Sequence, residues 1–144
     1  MKINIAIAVA SLLVAGACSS GPEPIHYGAD GCDYCKMTIV DQRFSAEAVT
    51  AKGRVYKFDA IECLAHYVTA HGDMKFKTLL VADYLHPDQW VEAQDGHFLV
   101  SKAVPSPMGA FLSAYKDEAT AGQMREEKGG NPITWPEILQ LNSR

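Results

Sequence analysis

Two alternating runs flank the pair Lys52-Gly53, and this arrangement constrains the fold more than any other feature of the chain. Residues 44–51 alternate weakly, and residues 54–58 (Arg-Val-Tyr-Lys-Phe) alternate cleanly. The pattern predicts two strands joined by a tight turn. Asp59 follows at once, with Glu62 three positions on, which is the spacing of a capping box. Ile61, Leu64, Ala65 and Val68 then recur at helical spacing, and Gly72 ends the predicted helix near His71. A third strand is predicted over residues 76–81. The second half echoes the first. Residues 90–93 and 97–101 read as strands around Gln94-Asp95-Gly96, and helices are predicted over 110–115, 118–127 and 136–141. Gly129-Gly130-Asn131-Pro132 breaks the second of these. The expected fold is therefore α+β: one small domain of two pseudo-repeated hairpin–helix units of ββα type. The echo is architectural, since the halves share little residue identity.

The N-terminus reads as a targeting segment. Met1-Lys2 precedes a run from Ile3 to Val14 that is apolar except for Asn4 and Ser11, and Ala15-Gly16-Ala17-Cys18 follows. The run is shorter than the ~20 residues a spanning helix requires. An ordinary secretory peptide cleaved at a small-residue site is one reading. The Gly-Ala-Cys junction resembles a bacterial lipobox, in which the cysteine is cut and acylated; two lipid signals anchor stably. Residues 1–17 are thus expected to be a lipoprotein signal peptide. Residues 18–25 are then the lipidated Cys18 and a Pro-rich flexible tether, and 26–144 the folded domain. Ser19, rather than Asp, after the cysteine points to the outer membrane under the Gram-negative sorting rule. The chain carries a net charge of −4, and loss of Lys2 with the signal takes it to −5. An acidic chain without a basic patch argues against nucleic acid as a partner.

Four cysteines are present, and lipid on Cys18 leaves Cys32, Cys35 and Cys63, an odd number that cannot all pair internally. Cys32-Asp33-Tyr34-Cys35-Lys36-Met37 gathers two thiols and a thioether within six residues. Thiolate and thioether are the soft donors that select Cu(I). A Cys32–Cys35 disulfide is the structural alternative, and a thioredoxin-like redox pair another. The redox motif opens a helix beside a βαβ pattern, whereas this one follows the turn-rich Gly28-Ala29-Asp30-Gly31. A structural zinc site needs a second close Cys/His pair, and His66 and His71 make a poor one.

Four stretches carry a resemblance to a known family. They are Cys-Asp-Tyr-Cys-Lys-Met-Thr-Ile (32–39), Tyr-Lys-Phe-Asp-Ala-Ile-Glu-Cys-Leu (56–64), Trp-Val-Glu-Ala (90–93) and Ser-Pro-Met-Gly-Ala-Phe (106–111). In this order, with the lipobox, they resemble the NosL-type copper chaperones that help mature nitrous oxide reductase. Lys36 departs from the Gly that the family usually has between Cys and Met. The resemblance implies two small ββα-type units, a lipid anchor and periplasmic Cu(I) delivery without enzyme activity. It implies nitrous oxide reductase and its membrane maturation machinery as partners.

Within that frame the expected metal ligands are Cys35, Met108, Met37 and Cys32. Cys35 matches the family's Cys before Met, and Met108 sits in a Pro-Met-Gly loop that offers little local packing. Met37 divides between ligand and gap-filling core residue. Cys63 is expected to be buried packing in the helix, Asp59 a cap, and Glu62 a cap partner or surface charge. Of His66, His71, His86 and His97, one can complete a three-coordinate site, and the sequence does not choose among them. The competing function class is a thiol–disulfide oxidoreductase using Cys32 and Cys35; a lipid-anchored structural domain is the third.

Overall fold

The computed structural model describes residues 21–142. The expected signal peptide, Cys18 and the first residues of the tether lie outside the described residues. A 3-10 turn, Gln42–Phe44, leads into β1 (Ala46–Thr50), β2 (Val55–Phe58), α1 (Ile61–Ala70), β3 (Phe76–Ala82) and β4 (Trp90–Glu92). Then come β5 (His97–Val100), β6 (Leu112–Tyr115), α2 (Glu118–Lys128), β7 (Asn131–Ile133) and α3 (Trp135–Leu141). Two antiparallel sheets result, with strand orders β2-β1-β3-β4 and β6-β5-β7. The α+β class and the two-unit echo expected from the pattern are both present.

The repeat is a ββαβ unit. In each half a hairpin leads to a helix, and the chain returns to pair with the first strand, β3 on β1 and β7 on β5. The first hairpin matches its prediction, with Ala48 opposite Tyr56 and Val49 opposite Val55. The second hairpin is displaced by one strand from the sequence expectation. Residues 90–92 pair with β3, Val91 opposite Val81. The turn between them is built by Asp83, whose Oδ1 accepts the N–H groups of Leu85 and His86, each at 2.9 Å. Such side-chain-to-backbone bonds make an Asx turn. Gln94-Asp95-Gly96 instead carries the chain from one sheet to the other. Residues 112–115, expected to be helical, form the return strand β6. All four are buried, so neither face shows a readable period. Pro132 sits in β7, at the sheet's edge, where a missing N–H is tolerated.

One core joins the units. Phe58, Ile61 and Leu64 from the first pack in the same cluster as Phe98, Leu112, Trp135 and Ile138 from the second. Ile25, the last residue of the expected tether, packs against it. α1 is apolar around most of its circumference and buries six residues, whereas α2 buries only Met124. α2 therefore lies over the outer face of the second sheet, on Leu99 and Tyr115. No helix among the described residues is long and apolar enough to cross a membrane.

Central position puts Glu47 of β1 fully inside. Its Oε2 accepts the N–H of Glu23 at 3.2 Å, while Oε1 has no hydrogen-bond partner. Burial pushes its carboxyl from 4.5 up to about 7. The native state thus holds a proton that the unfolded chain releases between those values, so stability falls as pH rises through that window. Glu47→Gln keeps an acceptor for Glu23 and removes the ionisation. It is expected to raise stability at pH 8 by on the order of 2 kcal/mol and to flatten the pH 5–8 profile in urea unfolding. A parallel pH profile in the variant counts against this account.

Candidate metal centre

Residues 31–38 form a tight knuckle. Cys32 N–H donates to Met37 O at 2.8 Å, Lys36 N–H to Cys32 O at 3.1 Å, and Gly31 bridges Thr38. The knuckle lies along the free edge of β2. Asp33 N–H donates to Lys57 O at 2.8 Å, and Lys57 N–H returns to Asp33 Oδ2 at 2.8 Å. This pairing covers an otherwise open sheet edge. Lys57 Nζ also holds Asp30 Oδ2 at 2.9 Å. On the other side the Tyr34 ring stacks on His66 of α1, centroids 5.0 Å apart.

These anchors hold the knuckle against the first turn of α1, where Cys63 sits. The sulfurs of Cys32, Cys35 and Cys63 all lie within 4.8 Å of one another. All three are free thiols, Cys32 and Cys63 buried and Cys35 half-buried. Cys63 is fully buried, as a packing residue would be, and its sulfur also faces the other two. Its helix position is compatible with either role, and only the approach of the knuckle distinguishes them.

Hydrogen bonding differentiates the three thiols. Cys63 donates S–H to the Cys32 sulfur, which also receives the N–H groups of Asp59, Cys35 and Tyr34. Four donors on one sulfur, the Cys63 S–H first, bring its pKa down to about 5 despite burial. Cys63 is pushed up, first because its proton is held by Cys32 and then by burial. Cys35 is pushed up by burial, partly offset by the Met37 N–H. Three sulfurs gathered this closely form a cluster of soft donors that can take a metal ion, surrendering protons as it binds.

Met37 and Met108 both reach the surface, 58% and 43% exposed. Neither is core filler. Met37 lies in the knuckle, two residues after Cys35, its carbonyl accepting the Cys32 N–H. Met108 lies in a turn whose residue Ser106 bonds to Glu62, one position before Cys63. Asp59 is not the helix cap that its spacing suggested. The N-cap is Ala60, with no side-chain bond. The Asp59 carboxylate instead accepts the Val40 N–H and is pushed up, chiefly by burial. Glu62 is buried rather than on the surface. His71 stacks on Tyr67 and bonds Tyr67 O through Nδ1 at 2.9 Å, His86 lies 3.4 Å from Asp83, and His97 is on β5. None of these belongs to the sulfur cluster; His66 is the imidazole packed on the knuckle.

Lys36 has φ 66, in the left-handed region that L side chains avoid. Lys36→Gly is expected to stabilise the protein by roughly 0.5–1 kcal/mol, strain relief outweighing the added freedom of the unfolded chain. Denaturant titration of both proteins checks this, and a loss of stability contradicts it.

A model of the NosL family matches residues 25–141. The chain belongs to the NosL family. The crystal structure of the copper chaperone NosL from Shewanella denitrificans is similar, with a TM-score of 0.71 and 19% identity. The match covers 85% of this chain and 98% of that one. At this identity the likeness speaks for the fold. No curated protein matches the sequence. The Cys-Lys departure falls at the left-handed residue of the knuckle, which is the conformation that a Gly there serves.

Proposed function

We propose that this protein is a Cu(I) carrier that acts outside the cytoplasm, tethered through lipid on Cys18, and gives its copper to a cuproenzyme. The observation that carries this reading is the cluster of Cys32, Cys35 and Cys63, three sulfurs within 4.8 Å of one another. Copper is cargo here, not a resident cofactor. Cys32, the sulfur whose pKa is lowered, receives the ion, and Cys63 completes the buried side. Cys35 is half-buried and gives an incoming partner ligand its access. Met108 and Met37 contribute thioethers at the open side. Low coordination by soft donors suits handover, because a partner ligand can enter before a resident one leaves. Family membership supports nitrous oxide reductase, with its membrane maturation machinery, as the recipient.

The oxidoreductase reading fits the geometry less well. A redox nucleophile must be both ionised and accessible. Here Cys32, the sulfur whose pKa is lowered, is 2% exposed, and the accessible Cys35 is pushed up. The motif also lies in a knuckle against an antiparallel sheet rather than at a helix start.

Anaerobic titration of the reduced protein with Cu(I) against a chelating competitor tests the carrier reading. One tightly held ion per chain, weakened strongly in Cys32→Ser and Cys35→Ser, is expected. Binding unchanged in both variants would defeat the assignment. For the anchor, Cys18→Ala is expected to leave the membrane fraction; retention there counts against lipidation.

A further inference from the structure

We propose that Glu62 is a positioning residue that fastens the Met108 turn to the first turn of α1 and so presents the thioether to the cysteine site. The inference rests on the Cu(I) reading above and adds the device that brings a second-half residue to a first-half site. Ser106, Pro107, Met108 and Gly109 form a turn closed by Gly109 N–H donating to Ser106 O at 3.0 Å. Pro107, Met108 and Gly109 are exposed, and Ser106 is buried. The Ser106 hydroxyl donates to Glu62 Oε1 at 2.5 Å, and Ala110 N–H reaches the same oxygen at 3.3 Å. Ser106 Oγ in turn accepts Phe111 N–H at 2.9 Å. One carboxylate oxygen thus gathers both ends of the turn.

Two further observations point the same way. Glu62 is 3% exposed, yet its other oxygen, Oε2, has no hydrogen-bond partner. A buried carboxylate half satisfied is costly, and the turn is what its bonded half secures. Phe111, where the loop enters β6, has φ 59, a strained value for a residue with a side chain. Strain of this kind persists only where neighbours hold the backbone, and the Glu62–Ser106–Phe111 chain of hydrogen bonds does so. Glu62 also directly precedes Cys63. Whatever is tied to its carboxylate is tied to the end of α1 that carries the site.

The test uses Glu62→Leu, Ser106→Ala, Glu62→Gln and Met108→Leu in the full chain. Cu(I) affinity is measured by chelator competition, sulfur coordination by X-ray absorption, and exchange of the 109–111 amides without metal. Glu62→Leu and Ser106→Ala are expected to weaken Cu(I) about tenfold, as Met108→Leu does. The double variant Glu62→Leu with Met108→Leu should be no weaker than either single, because both act through one thioether. Glu62→Gln retains an acceptor oxygen and should stay within about threefold of the parent. X-ray absorption should show one sulfur fewer in Glu62→Leu, and its turn amides should exchange faster. Additive loss in the double variant, or unchanged amide exchange in Glu62→Leu, overturns the proposal. Equal affinity of Met108→Leu and the parent also overturns it and leaves the cysteine site standing. If the parent itself binds no Cu(I), the carrier reading fails instead, and the exchange rates still decide whether Glu62 holds the turn.

Discussion

Cys63→Ser is expected to weaken Cu(I) binding by at least about a hundredfold, near 2.7 kcal/mol. Serine replaces a thiolate donor with a hydroxyl, which is a poor partner for a soft ion. It preserves an O–H that can donate to the Cys32 sulfur, so the Cys32 pKa should stay lowered. Cys63→Ala removes that donor as well, and the Cys32 pKa should then rise above about 5. Thiolate absorbance as a function of pH, read beside Cu(I) competition, separates the two effects. Both substitutions sit at a fully buried position, so a stability loss of roughly 1–2 kcal/mol accompanies them. If Cys63→Ser loses stability but binds copper like the parent, Cys63 is packing and the site is confined to the knuckle.

That result also bears on what the sequence can disclose. The closeness of Cys32 to Cys35 is legible in the sequence, because a two-residue spacing on a turn-rich segment leaves their sulfurs near one another. The approach of Cys63 to them is not, because a thiol on an apolar helix face looks alike whether it meets other thiols or only fills a core. What decides its role is tertiary. Asp33 pairs with Lys57, Tyr34 stacks on His66, and together they lay the knuckle on α1. Glu62 was misread for a related reason: capping-box spacing suggested a local role, while its bonds run to Ser106 and Ala110, more than forty residues away.

The fold shows the same division. In the first unit, alternation and helical period agree with each other, and β1, β2 and α1 lie where they were expected. In the second, Gly96 suggests a hairpin turn but links the two sheets: residues 90–92 turn back onto β3 through side-chain bonds of Asp83 that leave no glycine signal, and β5 pairs with β6 instead. Leu112–Tyr115, buried on both faces, offered no period at all. The architecture was legible and its phase was not, because phase depends on which strand closes on which.

Gly130→Ala is expected to destabilise the protein by about 2–4 kcal/mol. Gly130 has φ 105, and an added Cβ would stand 2.3 Å from Val100 O and 2.9 Å from Ser101 Cβ. Neither neighbour can yield easily. Val100 is held in β5 opposite Asn131, and the Ser101 hydroxyl is bonded to Lys128 O at 2.9 Å. Gly129, also at positive φ, has open space where a Cβ would go. Gly129→Ala is therefore the control that isolates backbone strain from collision, with a smaller loss of about 1–2 kcal/mol. The difference between the two in urea unfolding measures the close approach of β7 to β5. It matters beyond the edge strand because β7 leads directly into α3, whose Trp135 and Ile138 fill the core shared with α1. Copper affinity of the folded Gly130→Ala protein should nevertheless remain close to the parent's, since the cysteines rest on β2 and α1. A loss of copper binding in step with stability would instead mean that the site depends on the second sheet being closed, and that the two units act as one at the metal.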